Sequence, residues 1–441
     1  MPVETPAERE TLPGSLNEPE ALMSSLEGGG RLLGFRAVQF IFLFGISLVA
    51  TRALGPEGRG QYALALNLAT VVWVISHLSV EHSIGRLLAR REASAVELSR
   101  LASFFAITLG LTGLALTLAI GLPLRDALLG DADPAVVVLA AATIPFTLIG
   151  QLATALLLRL GALRVYGWVI AIGAAIQLGL VVAIEVGTGL SPETAMAAAL
   201  ATIALTAAAL AVALGRRVGA RALLPRTSAR LVRSALRTGM LLQPASIALW
   251  LNLKIDLLLV GLLVGADEAG LYSLSANLAD IVFVSVSTVG LAALETQTSA
   301  GTRDAVSYTT RFIGQNLFVA VALAALAAAV SYPFIVFAFG SEWEGSVLPF
   351  ALLMPAVVAL AIEGPARDLL IRIAPPLAIS AASTAALVLN AGLNFALVPE
   401  IGISGASIAS VLSYWLAGGL MLALLSHYGD VPMRRALVLP R

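Results

Sequence analysis

Cysteine is absent from the 441-residue sequence, and histidine occurs only three times. The absence of cysteine excludes disulfide frameworks, thiolate metal sites and cysteine nucleophiles. Three histidines also argue against a histidine-rich metal centre. We therefore predict no metal site and no cofactor, apart from a Na⁺ or H⁺ that could couple transport to an ion gradient. We assign no catalytic residue.

Charged residues are scarce as well: they make up 12% of the sequence, whereas hydrophobic residues make up 59%. A soluble domain carries roughly a quarter of its residues as charges. So few charges cannot cover a globule in water, and the mean hydropathy is +0.92, so apolar side chains must face lipid. The 27 basic and 27 acidic residues leave no basic excess for a phosphate backbone, so no nucleic-acid partner is expected. The sequence predicts an integral membrane protein.

Long apolar stretches follow one another from Arg31 onward, separated by glycine and proline. Each is long enough to cross about 30 Å of hydrocarbon as a helix that rises about 1.5 Å per residue. We predict an all-α fold with about twelve membrane spans. The predicted spans lie near 32–54, 61–85, 101–122, 135–158, 165–186, 193–215, 236–264, 270–293, 312–338, 346–364, 377–398 and 404–426.

Residues 1–30 differ from the rest, because they contain six glutamates, a run of three glycines and no apolar block. This composition predicts a disordered acidic tail, and it lacks the basic and apolar regions of a secretory signal. We expect an N-terminal six-helix lobe over 31–217 and a basic linker over 218–235. A C-terminal six-helix lobe over 236–428 and a short tail over 429–441 complete the expected organisation.

The basic residues are distributed unevenly between the loops. If the N-terminus is cytoplasmic, only Arg52, Arg59 and Arg125 fall on the outer side, Lys254 lies within a span, and all other basic residues are cytoplasmic. This bias places both termini in the cytoplasm of a multi-pass protein of the cell membrane. Every loop between the predicted spans is short, so we expect no soluble catalytic domain.

An internal repeat relates the two halves of the chain. Gly55, Gly60, Tyr62, Leu64, Asn67, Leu68 and Ala69 recur 210 residues later as Gly265, Gly270, Tyr272, Leu274, Asn277, Leu278 and Ala279. A weaker echo at an offset of 213 joins Gly179, Leu180, Ala183, Gly189 and Ser191 to Gly392, Leu393, Ala396, Gly402 and Ser404. Six helices separate the copies, so the repeat is parallel and its axis runs along the membrane normal. Two such lobes form a central cleft, which favours a transporter over a cargo-free scaffold.

Polar residues within the spans indicate where the cleft lies, because polar and ionisable groups are costly in hydrocarbon. The first span carries Arg36, Gln39 and Arg52, and the two arginines either line the cleft or anchor the helix at the membrane surface. Asn67 and Asn277 are matched by the repeat, and they either line the cleft or join helices to each other.

The seventh span carries Asn252, Lys254 and Asp256, and Lys254 is the only lysine in the chain. Residues two apart are separated by about 200° around a helix, so Lys254 and Asp256 do not face each other. We expect one of them to face the cleft and the other a neighbouring helix. Asp280, three residues after Asn277, shares a helix face with it.

Three segments carry a family resemblance: ATRALGPEGRGQYALALNLA (50–69), NLKIDLLLVGLLVGADEAGLYSLSANLA (252–279) and LNAGLNFALVPEIGISGASIASVLSYWLAGG (389–419). They resemble the Wzx-type polysaccharide flippases of the multidrug/oligosaccharidyl-lipid/polysaccharide exporter superfamily. The resemblance runs from about Arg31 to His427. It implies a V-shaped pair of six-helix lobes and alternating access, without enzymatic activity.

The resemblance also implies the cargo, an undecaprenyl-pyrophosphate-linked oligosaccharide moved from the inner to the outer leaflet of a bacterial plasma membrane. It makes Arg36, Arg52 and Lys254 candidate cations for the pyrophosphate and Asp256 a candidate site for coupling Na⁺ or H⁺. Membrane lipids, a glycan polymerase and glycosyltransferases are the implied partners. The first span lacks the acid that drug antiporters often use, which argues against drug export. Export of a peptidoglycan lipid precursor or of drugs, and a membrane glycan polymerase or ligase, are the alternatives.

Overall fold

The computed structural model describes residues 18–299 and 302–430, and within these residues the chain forms thirteen α-helices, two short 3₁₀ helices and no strand. The 3₁₀ helices are Ala220–Leu223 and Ser341–Ser346. The α-helices are α1 (Glu18–Ser76), α2 (Val80–Ala89), α3 (Ala95–Gly121), α4 (Arg125–Leu129), α5 (Pro134–Arg159), α6 (Leu163–Thr188), α7 (Pro192–Val218), α8 (Ala229–Val264), α9 (Ala266–Ser299), α10 (Thr302–Phe339), α11 (Val347–Ile373), α12 (Pro376–Ile401) and α13 (Ile403–Gly429).

Eleven helices in the described part of the chain are long and apolar enough to cross a membrane. The first of them, Ala37–Ser76, has 40 residues, about twice the length that one crossing needs. Gly55 divides it, because its backbone is not helical (φ 64°, ψ 178°). α1 therefore contains the first two predicted spans, and the number of crossings is twelve as predicted.

Polar caps at the turns show why several helices begin where they do. Ser94 accepts a hydrogen bond from the backbone N–H of Glu97, and the Glu97 carboxylate accepts one from the N–H of Ser94 at 2.9 Å. The Asp133 carboxylate accepts from the N–H of Ala135 at 2.7 Å, and Pro134 occupies the first turn of α5. These contacts satisfy N–H groups that have no partner inside their helix.

The backbone repeats the pattern seen in the sequence. Gly55 and Gly265 both have positive φ, 64° and 97°, as do Gly189 and Gly402, 81° and 61°. Glycine adopts such angles without the strain that a side chain would cause. Each matched pair ends or interrupts a helix at the equivalent position of its lobe. The predicted fold class is confirmed: an all-α membrane protein of two parallel six-helix repeats, with α1–α7 in the N-terminal lobe and α8–α13 in the C-terminal lobe.

The two copies of the repeat touch each other where α1 crosses α9. A Cβ atom on Gly60 would lie 1.8 Å from the carbonyl oxygen of Ala266, and one on Gly270 would lie 1.9 Å from that of Pro56. The two backbones are thus in direct contact. We call this end of the molecule, which contains Gly55–Gly60 and Gly265–Gly270, the glycine end; it is the end that the charge distribution predicts to be outer.

The lobes also touch at the opposite end, where α2 packs against the first half of α8. Ser83 donates a hydrogen bond to the carbonyl oxygen of Ala235 at 2.8 Å, and Ser79 donates to the side-chain oxygen of Gln243 at 2.7 Å. The amide of Gln243 in turn donates to the carbonyl oxygen of Val74 at 2.8 Å. One edge of each lobe is therefore held against the other over the full thickness of the protein.

The expected boundaries need three corrections. The disordered tail predicted for 1–30 is wrong for residues 18–30, which are helical; the apolar helix that follows extends back through them, and residues 1–17 lie outside the described residues. The linker predicted for 218–235 ends earlier, because Ser228 caps α8 at Ala229. The second span ends at Ser76 rather than near 85. The predicted tail 429–441 lies outside the described residues from 431 onward.

Replacement of Gly60 or Gly270 by alanine should force α1 and α9 apart, because the new methyl group overlaps a carbonyl oxygen. We expect each variant to lose about 1–3 kcal/mol of stability, seen as a lower Tm in detergent. A cysteine placed at the fully buried Ala269 should also react faster with a water-soluble maleimide. Gly392→Ala is the matched control, because its Cβ meets nothing within 4 Å. An unchanged Tm and reactivity in both variants would contradict the contact.

Candidate functional site

A buried carboxyl group stands in the C-terminal half of α8, within its apolar part Gln243–Val264. Asp256 is 5% exposed, and its side chain accepts hydrogen bonds from the Tyr272 hydroxyl at 2.5 Å, from the Ser410 hydroxyl at 2.8 Å and from the N–H of Leu257 at 2.9 Å. Tyr272 lies on α9 and Ser410 on α13, so three helices of the C-terminal lobe meet at this group. A carboxyl group buried in a membrane protein needs such donors, because no water replaces them.

Two asparagines extend this group along α12. Asn390 and Asn394 are one helical turn apart and both fully buried. The amide of Asn390 donates to the Ser413 hydroxyl at 3.1 Å, and that of Asn394 donates to the side-chain oxygen of Asn390 at 2.6 Å. We call the whole set the C-lobe polar cluster; it comprises Asn252, Asp256, Tyr272, Asn390, Asn394, Ser410, Ser413 and Tyr414.

Two oxygen atoms of the C-lobe polar cluster have no hydrogen-bond partner among the described residues: the side-chain oxygens of Asn252 and Asn394. The carbonyl oxygen of Asn252 accepts from Asn390 at 3.4 Å and from the Tyr414 hydroxyl at 3.2 Å. The cluster therefore has spare acceptors beside one carboxyl group. No group of three or more His, Asp or Glu that could hold a metal ion occurs in the described residues.

A small cavity of about 40 Å³ joins Asp256 to the lobe interface. Its polar lining residues are Lys254, Asp256, Tyr272, Asp280 and Tyr414, and the remaining lining residues are apolar. A cavity needs about 10–15 Å³ to hold one water molecule, so this one has room for a water or a small cation.

Lys254 pairs with Asp280 and not with Asp256, although Lys254 and Asp256 both line the cavity. Its ammonium group lies 3.4 Å from the carboxylate of Asp280, and the two side chains are 32% and 54% exposed. The amide of Asn67, on the N-terminal lobe, donates to the carbonyl oxygen of Lys254 at 2.7 Å. Lys254 is thus a partly exposed, ion-paired cation at the surface where the two lobes meet.

The other predicted site residues fall in different places. Asn277 is exposed one turn from Asp280, whereas Asn67 is buried, so the two matched amides differ in environment. Arg52 is exposed and donates to the carbonyl oxygen of Phe337 at 3.1 Å, across the lobes at the glycine end. Gln39 is half-buried, and its side-chain oxygen has no partner among the described residues. The side chain of Arg36 lies outside the described residues.

Arg59 is one of the three arginines that the charge sorting places on the outer side. The structure buries it with 4% exposure between α1 and α9, at the glycine end. The reason is that Gly55 interrupts the helix at a single residue, so no loop exists there, and Arg59 already lies in the second half of α1.

Sequence reasoning also missed several members of the C-lobe polar cluster. Tyr272 stands in the repeat motif, and its match with Tyr62 was the available signal. Asn390 and Asn394 are spaced by four residues, which puts them on one face. Ser410 and Ser413 carry no such signal, because serine is common in membrane helices and only the fold brings α13 to α8.

Comparison with solved structures gives similar folds along nearly the whole chain. The inward closed conformation of the lipid II flippase MurJ has a TM-score of 0.70 at 12% identity, covering 92% of this chain and 89% of that one. An inward-facing multidrug resistance MATE family transporter of the MOP superfamily gives 0.69 at 14%, covering 89% and 95%. A MOP superfamily transporter from Pyrococcus furiosus gives 0.66 at 14%, covering 91% and 95%. No curated protein matches the sequence.

The fold is the one that these membrane transporters share. The family of polysaccharide biosynthesis proteins matches residues 25–294, which is more than half of the chain, and the chain belongs to this family. The resemblance seen in the sequence is thereby confirmed for the family and for the superfamily fold.

Replacement of Tyr272 by phenylalanine should remove the hydroxyl that donates to Asp256 and leave a buried carboxyl oxygen short of a donor. We expect a loss of about 1–3 kcal/mol of stability, measured as the Tm in detergent. Tyr332→Phe, at an exposed position on α10, is the control and should leave the Tm unchanged. Equal Tm values for the two variants would show that the hydrogen bond contributes nothing.

Proposed function

We propose that the protein is a flippase that moves an undecaprenyl-pyrophosphate-linked oligosaccharide from the inner to the outer leaflet of a bacterial plasma membrane. The observation that carries the proposal is Lys254, a partly exposed cation where the lobes meet, near the middle of the apolar part of α8, Gln243–Val264. In this proposal both termini are cytoplasmic, and the glycine end faces outward, as the distribution of arginines predicts.

A diphosphate headgroup cannot enter a low-dielectric interface without a cation, because the unpaired charge would be too costly. Lys254 supplies that cation, and its exposed ammonium group is within reach of a ligand between the lobes. The Lys254 ammonium pairs with the Asp280 carboxylate, so a ligand competes with Asp280 for it. A diphosphate competes better than a neutral ligand, because it carries negative charge of its own.

The C-lobe polar cluster is the proposed coupling site, with Asp256 as its charged member. Small hard cations prefer oxygen ligands, and transporters place such sites at the membrane midplane. The Asp256 carboxyl provides one such ligand, and the cavity that it lines has room for one small ion. The unpartnered oxygens of Asn252 and Asn394 are further acceptors in the same cluster. A proton on the Asp256 carboxyl would couple flipping to a gradient in the same way, so both Na⁺ and H⁺ are candidate coupling ions.

A peptidoglycan lipid precursor is the second candidate cargo, because the similar MurJ structure is described as a lipid II flippase. Both cargoes are lipid-linked sugars, and both need a cation for their phosphates. A glycan polymerase and glycosyltransferases are the proposed partners in the first case, because they would consume and supply the lipid-linked glycan.

Lys254→Ala should abolish flipping, because the diphosphate loses its cation. The measurement uses proteoliposomes with a fluorescent undecaprenyl-pyrophosphate oligosaccharide, and it records the fraction of label that a membrane-impermeant quencher reaches. We expect transfer to fall to the level of protein-free vesicles, and Lys254→Arg to keep part of it.

Arg226→Ala, which removes an exposed cation in the linker, is the matched control and should flip normally. Normal flipping by Lys254→Ala would remove Lys254 from the site. Transfer of a labelled peptidoglycan precursor, but not of the oligosaccharide, would assign the protein to the second cargo.

Asp256→Asn should uncouple flipping from an ion gradient, because the site loses its negative charge while its shape is kept. We expect a Na⁺ or H⁺ gradient to accelerate the native protein but not the variant, in the same vesicle assay. Asp267→Asn, at an exposed position near the start of α9, is the control and should respond like the native protein. A full response by Asp256→Asn would place the coupling site elsewhere.

A further inference from the structure

Arg59 is a buried cation between the two lobes at the glycine end. Its guanidinium donates to the Ser273 hydroxyl at 3.0 Å, to the Thr51 hydroxyl and to the Ser47 hydroxyl at 3.5 Å. The guanidinium carbon also lies 5.9 Å from the centre of the Trp343 ring. All four of these partners are neutral.

Among the described residues, no carboxylate forms an ion pair with Arg59. The nearby acids have other partners: Glu57 accepts from the Gln61 amide at 3.4 Å, and Glu342 accepts from the Trp343 indole at 3.1 Å. A guanidinium taken out of water without a counter-charge is costly, and a charged group within a membrane span marks a functional path. Burial of the Arg59 guanidinium is therefore unfavourable in this state, and a state that gives it a counter-charge removes that cost.

The partners of Arg59 are divided between the lobes. Ser47 and Thr51 belong to the first half of α1, whereas Ser273 and Trp343 belong to the C-terminal lobe. When the glycine end opens, Gly60 separates from Gly270, and the same movement takes Ser273 and Trp343 away from the guanidinium. Arg59 then faces the gap with free N–H donors, and its planar fork suits a phosphate or diphosphate group.

Arg59 also stands at a different level from Lys254. Asn67 contacts the backbone of Lys254 and so marks its level on α1. Arg59 precedes Asn67 by eight residues, which is about 12 Å toward the glycine end at about 1.5 Å per residue. The two cations therefore occupy successive levels between the middle of the protein and its glycine end.

We infer that Arg59 is a second anion site, which binds the diphosphate of the lipid-linked cargo after the glycine end opens. The inference rests on the proposed function and extends it. Lys254 holds the diphosphate while the glycine end is closed, and Arg59 holds it once this end is open. Because Arg59 finds a counter-charge only in the open state, a bound diphosphate shifts the lobes toward opening.

The test uses the absence of cysteine in the native chain. A single cysteine at Ala269, on the face of α9 that meets α1, reports opening through its reaction with a membrane-impermeant maleimide. Inorganic pyrophosphate, added on the side of the glycine end, is the probe. We expect it to increase the reaction rate several-fold when residue 59 is arginine, partly in Arg59→Lys, and not at all in Arg59→Gln.

Arg125→Gln is the matched control, because it removes an arginine on the same predicted outer side that pairs with its neighbour Asp126 and not across the lobes, and it should leave the response to pyrophosphate intact. A second measurement is calorimetric binding of pyrophosphate to Gly270→Ala, in which the helices are already forced apart. The inference is supported if pyrophosphate binds to Gly270→Ala but does not bind to the double variant Gly270→Ala, Arg59→Gln. An equal response of arginine and glutamine at residue 59, or an equal effect of sulfate at matched ionic strength, would overturn it.

The two proposals fail in different ways. If the native protein flips the lipid-linked glycan but pyrophosphate has no effect through Arg59, only the second anion site is lost. If pyrophosphate acts through Arg59 but no lipid-linked glycan crosses the vesicle membrane, the anion site stands and the proposed cargo is wrong.

Discussion

The backbone contact between α1 and α9 at Gly60 and Gly270 determines how closely the two lobes approach each other. No side chain fits between the helices there, so the crossing fixes which residues of α1 lie beside which residues of the C-terminal lobe. Arg59, one residue before Gly60, is held beside Ser273, and Asn67, two turns further on, reaches the backbone of Lys254. One pair of glycines, Gly60 and its repeat counterpart Gly270, thus explains why the glycine end is closed. The same pair explains the burial of Arg59 and the position of Lys254 between the lobes.

Within the lobes, the low dielectric of the membrane dictates how polar groups are arranged. Hydrocarbon offers no hydrogen-bond partners, so Asp256 is bound by donors from two other helices, and Lys254 is paired with Asp280. α8 thus carries a buried carboxyl at Asp256 and a partly exposed ammonium at Lys254, and both line the same small cavity.

Much of the fold could be predicted from the sequence because the signals are long and periodic. Twelve apolar stretches and the motif shared by Gly55–Ala69 and Gly265–Ala279 were sufficient to predict two parallel six-helix lobes. Less of the candidate site could be predicted from the sequence. Lys254 and Asp256 were visible as rare charges inside a span, but Ser410, Asn390 and Asn394 acquire meaning only when α12 and α13 pack beside α8. The burial of Arg59 could not be predicted, because counting charges by loop cannot show that a turn consists of a single residue.

The sequence by itself determined that this protein lies in a membrane, that it has two related halves, and that few of its charges stand within the spans. These properties follow from composition and from local periodicity, which act over one helix at a time. Only the tertiary structure decided which helices meet, that Asp256 faces three donors, that Lys254 stands at the lobe interface, and that Arg59 is enclosed without a counter-charge. Such contacts join residues far apart in the chain, 214 positions for Arg59 and Ser273, and the packing of helix against helix fixes them.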